Sequence, residues 1–278
     1  MPIRISQPSH QSLYVETWAS GKRLSTGTAF VASGANGQNF LVTNRHIVTG
    51  RHNGTDKCLS ETLAVPDALV VWHNSKGNLG QFVRVESPLF VNDEPQWIEH
   101  PAYKAAVDVV AIPLPDRDDL EFVPYRIDYQ AHMKIEPTSR VSIVGFPFGE
   151  RTGASFAIWS TGFVASEPQI PHGGQQVFLV DCRARPGQSG SPVIRYRNGG
   201  GLLTHDNGSE EMSPITEFLG VYSGRINELS DLGMVWNAWI ISELLAFAIS
   251  IDRGLMSPSD SSNQRPSDGC VGKKDHSA

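Results

Sequence analysis

The stretch RPGQSGSPVI, residues 185–194, decides how this 278-residue sequence is interpreted. Ser189 lies between Gly187 and Gly190, and an apolar run begins directly after Pro192. A serine hydroxyl is a weak nucleophile unless a base removes its proton and backbone amides stabilise the developing negative charge. Flanking glycines permit a tight turn that exposes such amides. Because Gly-x-Ser-Gly runs are also common in strand connections, the motif indicates a nucleophile only if partner residues exist.

Two upstream segments supply candidate partners for this serine. NFLVTNRHIVTG (39–50) places His46 directly after an apolar strand, at the start of a predicted helical turn. AAVDVVAIPL (105–114) places Asp108 at the start of an apolar strand, where burial of a carboxylate is costly unless it is paired or hydrogen-bonded. Each residue also has a plain alternative, a surface histidine and an acid that faces solvent. The segments therefore become informative only when they are taken together.

The three residues occur in the order His46, Asp108, Ser189. This order distinguishes chymotrypsin-type triads from those of subtilisins and α/β-hydrolases. With its surrounding motifs, the sequence resembles the trypsin-like (chymotrypsin-fold, PA clan) serine proteases and is most similar to the bacterial HtrA/Deg-type protease domain. The motifs that carry the resemblance are, in chain order, GTAFVASGANGQNFLVTNRHIV (27–48), DVVAIPL (108–114), VGFPFG (144–149), STGFVAS (160–166), LVDCRARPGQSGSPVI (179–194) and EFLGVYSGRI (217–226).

The resemblance implies a serine endopeptidase that cleaves peptide bonds through an acyl-enzyme. Ser189 would attack the peptide carbonyl, His46 would take and return the proton, and Asp108 would hold the imidazole. By family position, the backbone amides of Gly187 and Ser189 would form the oxyanion hole. Ser223 matches the family serine that supports the catalytic Asp, and its strand would pair with the substrate backbone; the alternative is an ordinary edge-strand serine.

The resemblance also suggests a substrate pocket. Arg183 occupies the family position at the base of the primary pocket, and Arg225 follows the pocket strand. Two cations there would favour an acidic side chain before the cleaved bond, because an Arg–carboxylate pair is strong and bidentate. The alternative is that Arg183 pairs with Asp181 or faces solvent, which leaves a pocket for a small aliphatic side chain. Ser191 replaces a glycine that the family usually has, a change that removes no catalytic group.

Short apolar or alternating runs between turn residues predict an all-β protein with two β-rich halves, and the resemblance implies two six-stranded Greek-key β-barrels. A connector rich in Pro and Asp, residues 113–130, separates the halves. The predicted strands cover residues 13–19, 27–33, 39–44, 68–73, 81–87 and 108–114, then 140–146, 155–166, 175–182, 191–197 and 216–224.

A C-terminal α-helix is predicted over residues 237–249, with Trp239, Ile240, Leu244, Phe247 and Ala248 on one face. The predicted divisions are an N-terminal extension (1–11), an N-terminal barrel (12–118), a C-terminal barrel with the helix (119–252) and a disordered tail (253–278). The tail is polar, contains Cys270, and would leave no room for the PDZ domain of HtrA proteins.

Composition excludes several classes of protein. With 40% hydrophobic residues, 19% charged residues and a net charge of −6, the chain is neither a disordered polyelectrolyte nor a basic nucleic-acid binder. The apolar run 235–251 is short for a membrane span and contains Asn237 and Glu243, so no membrane association is expected. Three cysteines without metal-ligand spacing, and an N-terminus without a secretory signal, predict a cytoplasmic protein with no metal and no cofactor.

Two alternative functions remain after these exclusions. An α/β-hydrolase is disfavoured because GQSGS lacks the last glycine of GxSxG. A catalytically silent trypsin-like module, which binds peptides or a partner protein in the substrate groove, stays open because residues alone do not prove activity. The segments 166–176 and 198–214 are predicted to be long loops, either simple surface insertions or a switch that a regulatory partner protein could control.

Overall fold

A computed structural model describes residues 4–127, 135–204 and 210–252, and within 199–214 it describes only backbone. The helices are α1 (Pro8–Gln11), α2 (Arg45–Thr49) and α3 (Ala238–Asp252). The strands of the N-terminal half are β1 (Ser12–Ala19), β2 (Lys22–Ser33), β3 (Asn39–Thr43), β4 (Ala68–Ser75), β5 (Phe82–Pro88), β6 (Phe90–Val91), β7 (Glu94–Pro95), β8 (Ile98–Glu99), β9 (Val110–Pro113) and β10 (Leu120–Glu121). Those of the C-terminal half are β11 (Arg140–Gly145), β12 (Ile158–Val164), β13 (Val177–Asp181), β14 (Pro192–Thr204), β15 (Glu210–Arg225) and β16 (Leu232–Asn237). The predicted all-β class with a C-terminal helix is confirmed.

The C-terminal half is a closed six-stranded barrel, as predicted. Its strands follow the order β11-β12-β13-β16-β15-β14, and every pairing around it is antiparallel. The segment 198–214 was predicted to be a loop, but its described parts, 198–204 and 210–214, instead lengthen β14 and β15, whose backbone pairing continues to Thr204 and Glu210. The register shifts between Arg197 and Gly201, so the pairing passes the three consecutive glycines that had indicated a loop.

The N-terminal half differs from the closed six-stranded barrel that the resemblance implied. Eight strands form one sheet in the order β10-β4-β1-β2-β3-β9-β8, with β5 also paired to β4. Within the described residues β5 pairs only with β4 and β8 only with β9, so no ladder of hydrogen bonds closes the sheet. Prolines lie along this gap at positions 88, 95, 113 and 115. Because proline has no backbone N–H to donate, pairing ends there.

One hydrophobic cluster spans both halves, and each half also contains a cluster of its own. Phe30 and Tyr125 from the N-terminal half pack against Phe218 of β15, with ring centroids 5.3 and 5.7 Å from that ring. The predicted boundary at residue 118 falls before β10, which pairs with β4, and Tyr125 forms a bridge with Ala32. The N-terminal half therefore extends at least to Tyr125.

Helix α3 packs against both halves. The residues buried on it are Ile240, Ile241, Leu244, Leu245, Ala248 and Ile249, whereas Trp239 and Phe247 of the predicted face are only partly buried. The buried face is thus rotated towards Ile241 and Leu245. Glu243 Oε2 lies 3.2 Å from Nε2 of the buried His100 in the N-terminal half.

The remaining expectations concern the chain ends and the cysteines. Residues 8–11 form α1, and Ser9 at its start accepts a hydrogen bond from Trp159 of β12, so this part of the predicted extension packs on the C-terminal half. Cys58 and Cys182 are free thiols. The tail 253–278, with Cys270, lies outside the described residues. In the described segments no helix is long and apolar enough to cross a membrane.

Replacement of Leu244 by Ala tests how far the structure depends on α3. The Leu244 side chain is 0% exposed, so its truncation should lower the free energy of unfolding by about 2 to 5 kcal/mol. Leu229→Ala is the matched control, because Leu229 is 100% exposed. Urea denaturation followed by tryptophan fluorescence measures both. Equal midpoints for the two variants would contradict the packing of α3.

Candidate active site

His46 stands on the short helix that follows β3. The apolar strand ends at Thr43 and α2 begins at Arg45, so the predicted strand and helical turn are both present. Asn44, between them, is fully buried and donates its side-chain N–H to the backbone oxygen of Asp108 at 2.6 Å. This contact fixes the start of α2 against the segment that leads into β9. The sequence stretch Thr-Asn-Arg-His contains Asn44, but its role was not predicted.

Asp108 is a buried carboxylate with three hydrogen-bond donors. Asp108 is only 3% exposed. Oδ2 accepts from His46 Nδ1 at 2.7 Å and from Ser223 Oγ at 2.5 Å, and Oδ1 accepts from the His46 backbone N–H at 2.9 Å. Charge-assisted hydrogen bonds of this kind offset the cost of removing a carboxylate from water. Asp108 is therefore buried, and the alternative that it faces solvent is wrong.

The environment of His46 favours its protonated form. Burial is the largest single influence on the pKa of His46, and it lowers this pKa. The negative charge of Asp108 and the hydrogen bond from Nδ1–H together raise it by more, so the pKa of His46 is raised above 6.5 overall. The side chain is 18% exposed, so part of the imidazole ring is accessible to solvent. Because Asp108 can only accept at Nδ1, the other ring nitrogen, Nε2, is the one that can act as a base.

The loop that carries Ser189 has a backbone that requires glycine on both sides. Gly187 has φ +93° and Gly190 has φ +83°, values that residues with a side chain rarely adopt. A Cβ on Gly190 would overlap the carbonyl oxygen of Thr28, and one on Gly187 would overlap that of Phe146. The loop therefore lies directly against the N-terminal half.

Thr28 of β2 holds this loop by two hydrogen bonds. Its backbone N–H donates to the Ser189 oxygen at 2.9 Å, and its hydroxyl donates to the Gly187 oxygen at 2.9 Å. These bonds fix both carbonyl groups against β2. Among the described residues, the amides of Gly187 and Ser189 donate to no protein group, so both remain available for an oxyanion.

The Ser189 hydroxyl donates to the backbone oxygen of Ser223 at 3.2 Å. In the described chain it forms no hydrogen bond with His46; the two residues are linked through Ser223, whose hydroxyl donates to Asp108, the partner of His46. The structure thus brings together His46, Asp108, Ser189 and Ser223, with the hydroxyl turned towards the strand. Free enzymes often form such catalytic bonds only when the substrate is present.

Two residues next to Ser189 were not assigned a structural role from the sequence. Gln188 is fully buried, and its amide group accepts from the Arg185 N–H at 2.8 Å and donates to Ser160 Oγ at 2.9 Å. The loop is therefore braced by its own side chain. Ser191 is buried beside Gly145, where an added Cβ would overlap its hydroxyl. The departure of Ser191 from the family pattern is accommodated because residue 145 has no side chain.

The predicted pocket residues lie near this loop but differ in exposure. Arg183 is exposed, and in the described structure it forms no ion pair with Asp181. Arg225 is partly buried, and its Nη1 donates to the backbone oxygen of Glu228 at 2.7 Å. Arg185, which was not predicted to take part, pairs with Asp231 at 3.2 Å. No cluster of His, Cys, Asp or Glu that could hold a metal ion occurs among the described residues.

Comparison with known families identifies the class of protein. The trypsin-like peptidase domain matches residues 27–200, which include His46, Asp108 and Ser189. The chain therefore belongs to the trypsin-like peptidase domain family. Among curated proteins, no sequence matches.

Solved structures share the fold at low sequence identity. A thermostable serine protease, AL20, from an extremophilic microorganism is 12% identical with a TM-score of 0.52, and the match covers 87% of this chain and 98% of that one. The HtrA-type protease AlgW, solved with a tripeptide, is 14% identical with a TM-score of 0.51 over 88% and 62% of the two chains. The active form of the Rv3671c protease from M. tuberculosis is 19% identical with a TM-score of 0.46 over 86% and 81%. The first two similarities establish the trypsin-like fold.

Asp108→Asn tests the electrostatics of the site. The pKa of His46 should fall below that of the wild type, because the amide removes the negative charge and leaves only the effect of burial. Two-dimensional NMR of the imidazole Cε1–H signal against pH measures this value. Asp181→Asn is the control, since Asp181 is an exposed acid. An unchanged His46 titration in Asp108→Asn would contradict the role of this carboxylate.

Proposed function

We propose that this protein is a serine endopeptidase that hydrolyses peptide bonds through an acyl-enzyme. The observation that carries the proposal is the set of hydrogen bonds joining His46 and Ser223 to Asp108, next to a serine whose loop leaves two amides unused. A cluster of polar surface residues without a catalytic role would not bury a carboxylate among three hydrogen-bond donors. The family and fold supply the class, and this geometry supports the chemistry.

The reaction begins with the Ser189 hydroxyl. A rotation about the Cα–Cβ bond would move the hydroxyl from the Ser223 carbonyl towards His46 Nε2, which then accepts its proton as Oγ attacks the peptide carbonyl. The amides of Gly187 and Ser189 stabilise the oxyanion. His46 returns the proton to the leaving amine, and a water molecule releases the acyl group by the same route. Asp108 keeps Nδ1 protonated and stabilises the imidazolium.

Strand β15 offers the substrate an edge for pairing. Its pairing with β14 ends at Val221, and beyond that point Gly224 and Arg225 pair only with β16 among the described strands. One side of residues 223–225 is therefore open to an extended peptide, which would add as a further strand. This side begins at Ser223, whose carbonyl receives the Ser189 hydroxyl, so a bound peptide would lie beside the nucleophile.

A fluorophosphonate probe tests for an activated serine. We expect the wild type to be labelled, and Ser189→Ala and His46→Ala to lose labelling by at least about 10³-fold, because the triad acts as a unit. Ser230→Ala, at a serine outside the site, is the control and should react like the wild type. Intact-protein mass spectrometry locates the adduct. Absence of labelling in a well-folded wild type would instead favour the alternative function, a peptide-binding module without catalysis.

The rate of this labelling should increase as the pH rises. His46 acts as a base only when it is neutral, and its pKa is raised, so the rate should increase with pH through a midpoint above 6.5. In Asp108→Asn the midpoint should move to lower pH while the maximal rate falls. Rate constants measured from pH 5 to pH 9 provide the profile. A flat profile in the wild type would contradict general-base catalysis by His46.

A peptide library tests the specificity hypothesis. If Arg183 and Arg225 face the primary pocket when substrate is bound, cleavage should be enriched after Glu or Asp. Arg225→Ala should reduce this preference by about tenfold or more, whereas Arg197→Ala, on β14 outside the predicted pocket, should leave it unchanged. Mass spectrometry of the cleaved peptides measures the residue before each cut. Enrichment of small aliphatic residues instead would contradict the acidic pocket.

A further inference from the structure

The gap in the N-terminal sheet opens into a cavity of about 480 Å³. Its walls come from β4, β5, the segment around β8, and β9 with the residues that follow it. Leu69, Val71, Leu89, Trp97 and Ile112 give it a mainly apolar lining. A volume of this size lies in the range of sites that hold small molecules, and such sites combine an apolar lining with a few polar groups.

One side-chain nitrogen on the wall of the cavity has no hydrogen-bond partner among the described residues. His73 is 3% exposed, and among the described residues its Nδ1 makes no hydrogen bond. Successive residues of a strand point to opposite faces, so His73 shares the interior face of β4 with Leu69 and Val71, which also line the cavity. The ring packs edge-on against Phe122, at a centroid distance of 5.7 Å. An unpaired polar atom in this position is costly unless something in the cavity binds it.

The charged groups around the cavity are paired with one another, so none offers a free charge to a ligand. Arg117 holds Asp119 with two hydrogen bonds of 2.9 and 2.6 Å, and Glu86 is paired with Arg84 at 3.0 Å. Both pairs lie at the exposed rim. Burial, together with the nearby Arg117 charge, lowers the pKa of His73 to about 4, against the smaller opposing effect of Asp119. The imidazole is therefore neutral at pH 7 and offers a hydrogen bond without a charge.

We propose that this cavity is a binding site for an uncharged small molecule with an apolar body and one hydroxyl or similar group, which hydrogen-bonds to His73. The apolar body would contact the side chains that β4 and β9 present, and the hydroxyl would satisfy the nitrogen that the protein leaves unpaired. The site is distinct from the cleft of Ser189, and it needs no reaction at that serine.

Phenol and toluene form a matched pair of probes, since they differ mainly in one hydroxyl. Phenol titrated into the full chain at pH 7 should shift, in a saturable way, the NMR signals of the Leu69, Val71 and Ile112 methyl groups. The ratio of the phenol and toluene affinities should fall about five- to tenfold in His73→Leu, the amount one hydrogen bond contributes. His172→Leu, at an exposed histidine outside the cavity, should leave the ratio unchanged.

A second variant tests the place of binding without changing the histidine. Val85 lies on the edge strand β5, lines the cavity and is partly exposed, so Val85→Trp should take up part of the space and weaken binding of both probes. Absence of methyl shifts with phenol in the wild type would overturn the proposal and leave a cavity that holds only water. An affinity ratio unaffected by His73→Leu, or phenol and toluene affinities unaffected by Val85→Trp, would also overturn it.

Discussion

The carboxylate of Asp108 is the group on which the candidate active site depends. It lies between the two halves of the molecule, where it accepts hydrogen bonds from His46 on one side and Ser223 on the other. A buried carboxylate without these donors would be costly, and the donors would have no fixed orientation without it. The position of the imidazole, the state of its two nitrogens and the orientation of the Ser223 hydroxyl therefore all follow from one side chain.

A second connection completes the site from the opposite direction. Thr28 holds the loop of Ser189 against β2 with its backbone and its hydroxyl, and the two glycines let the loop approach closely enough. The nucleophile and the base thus stand on different halves. Thr28 attaches the serine loop to the N-terminal half, and Asp108, which holds His46, is attached to the C-terminal half through Ser223. Any displacement of the halves would separate the reacting groups, which explains why so much apolar surface, including Phe30, Tyr125 and Phe218, is buried between them.

The sequence was most informative where chemistry restricts the choice of residue. Each residue of the proposed triad stands in a recognisable local sequence pattern. Ser189 lies in a glycine-flanked turn, His46 follows the end of an apolar strand, and Asp108 is an acid within an apolar segment. The closure of a sheet leaves no such pattern, since it depends on whether edge strands meet, and the prolines at the gap were visible only as turn signals. The extension of β14 past three glycines was missed for a related reason: pairing with an aligned partner outweighs local propensity. Thr28, Asn44 and Gln188 act through contacts with residues distant in the chain, and no local pattern indicates those.

Because helix α3 follows the reactive residues in the sequence, the order of synthesis affects when the active site can form. The helix is the last described element, yet Leu244 and its neighbours complete the core that both halves share, and Glu243 reaches the loop that leads to Asp108. While the chain is still being synthesised, the segments with His46, Asp108 and Ser189 have emerged before the element that packs them together. A nascent chain from which α3 has not emerged lacks the part of the shared core that this helix completes, so the geometry of the site is fixed only after α3 has packed.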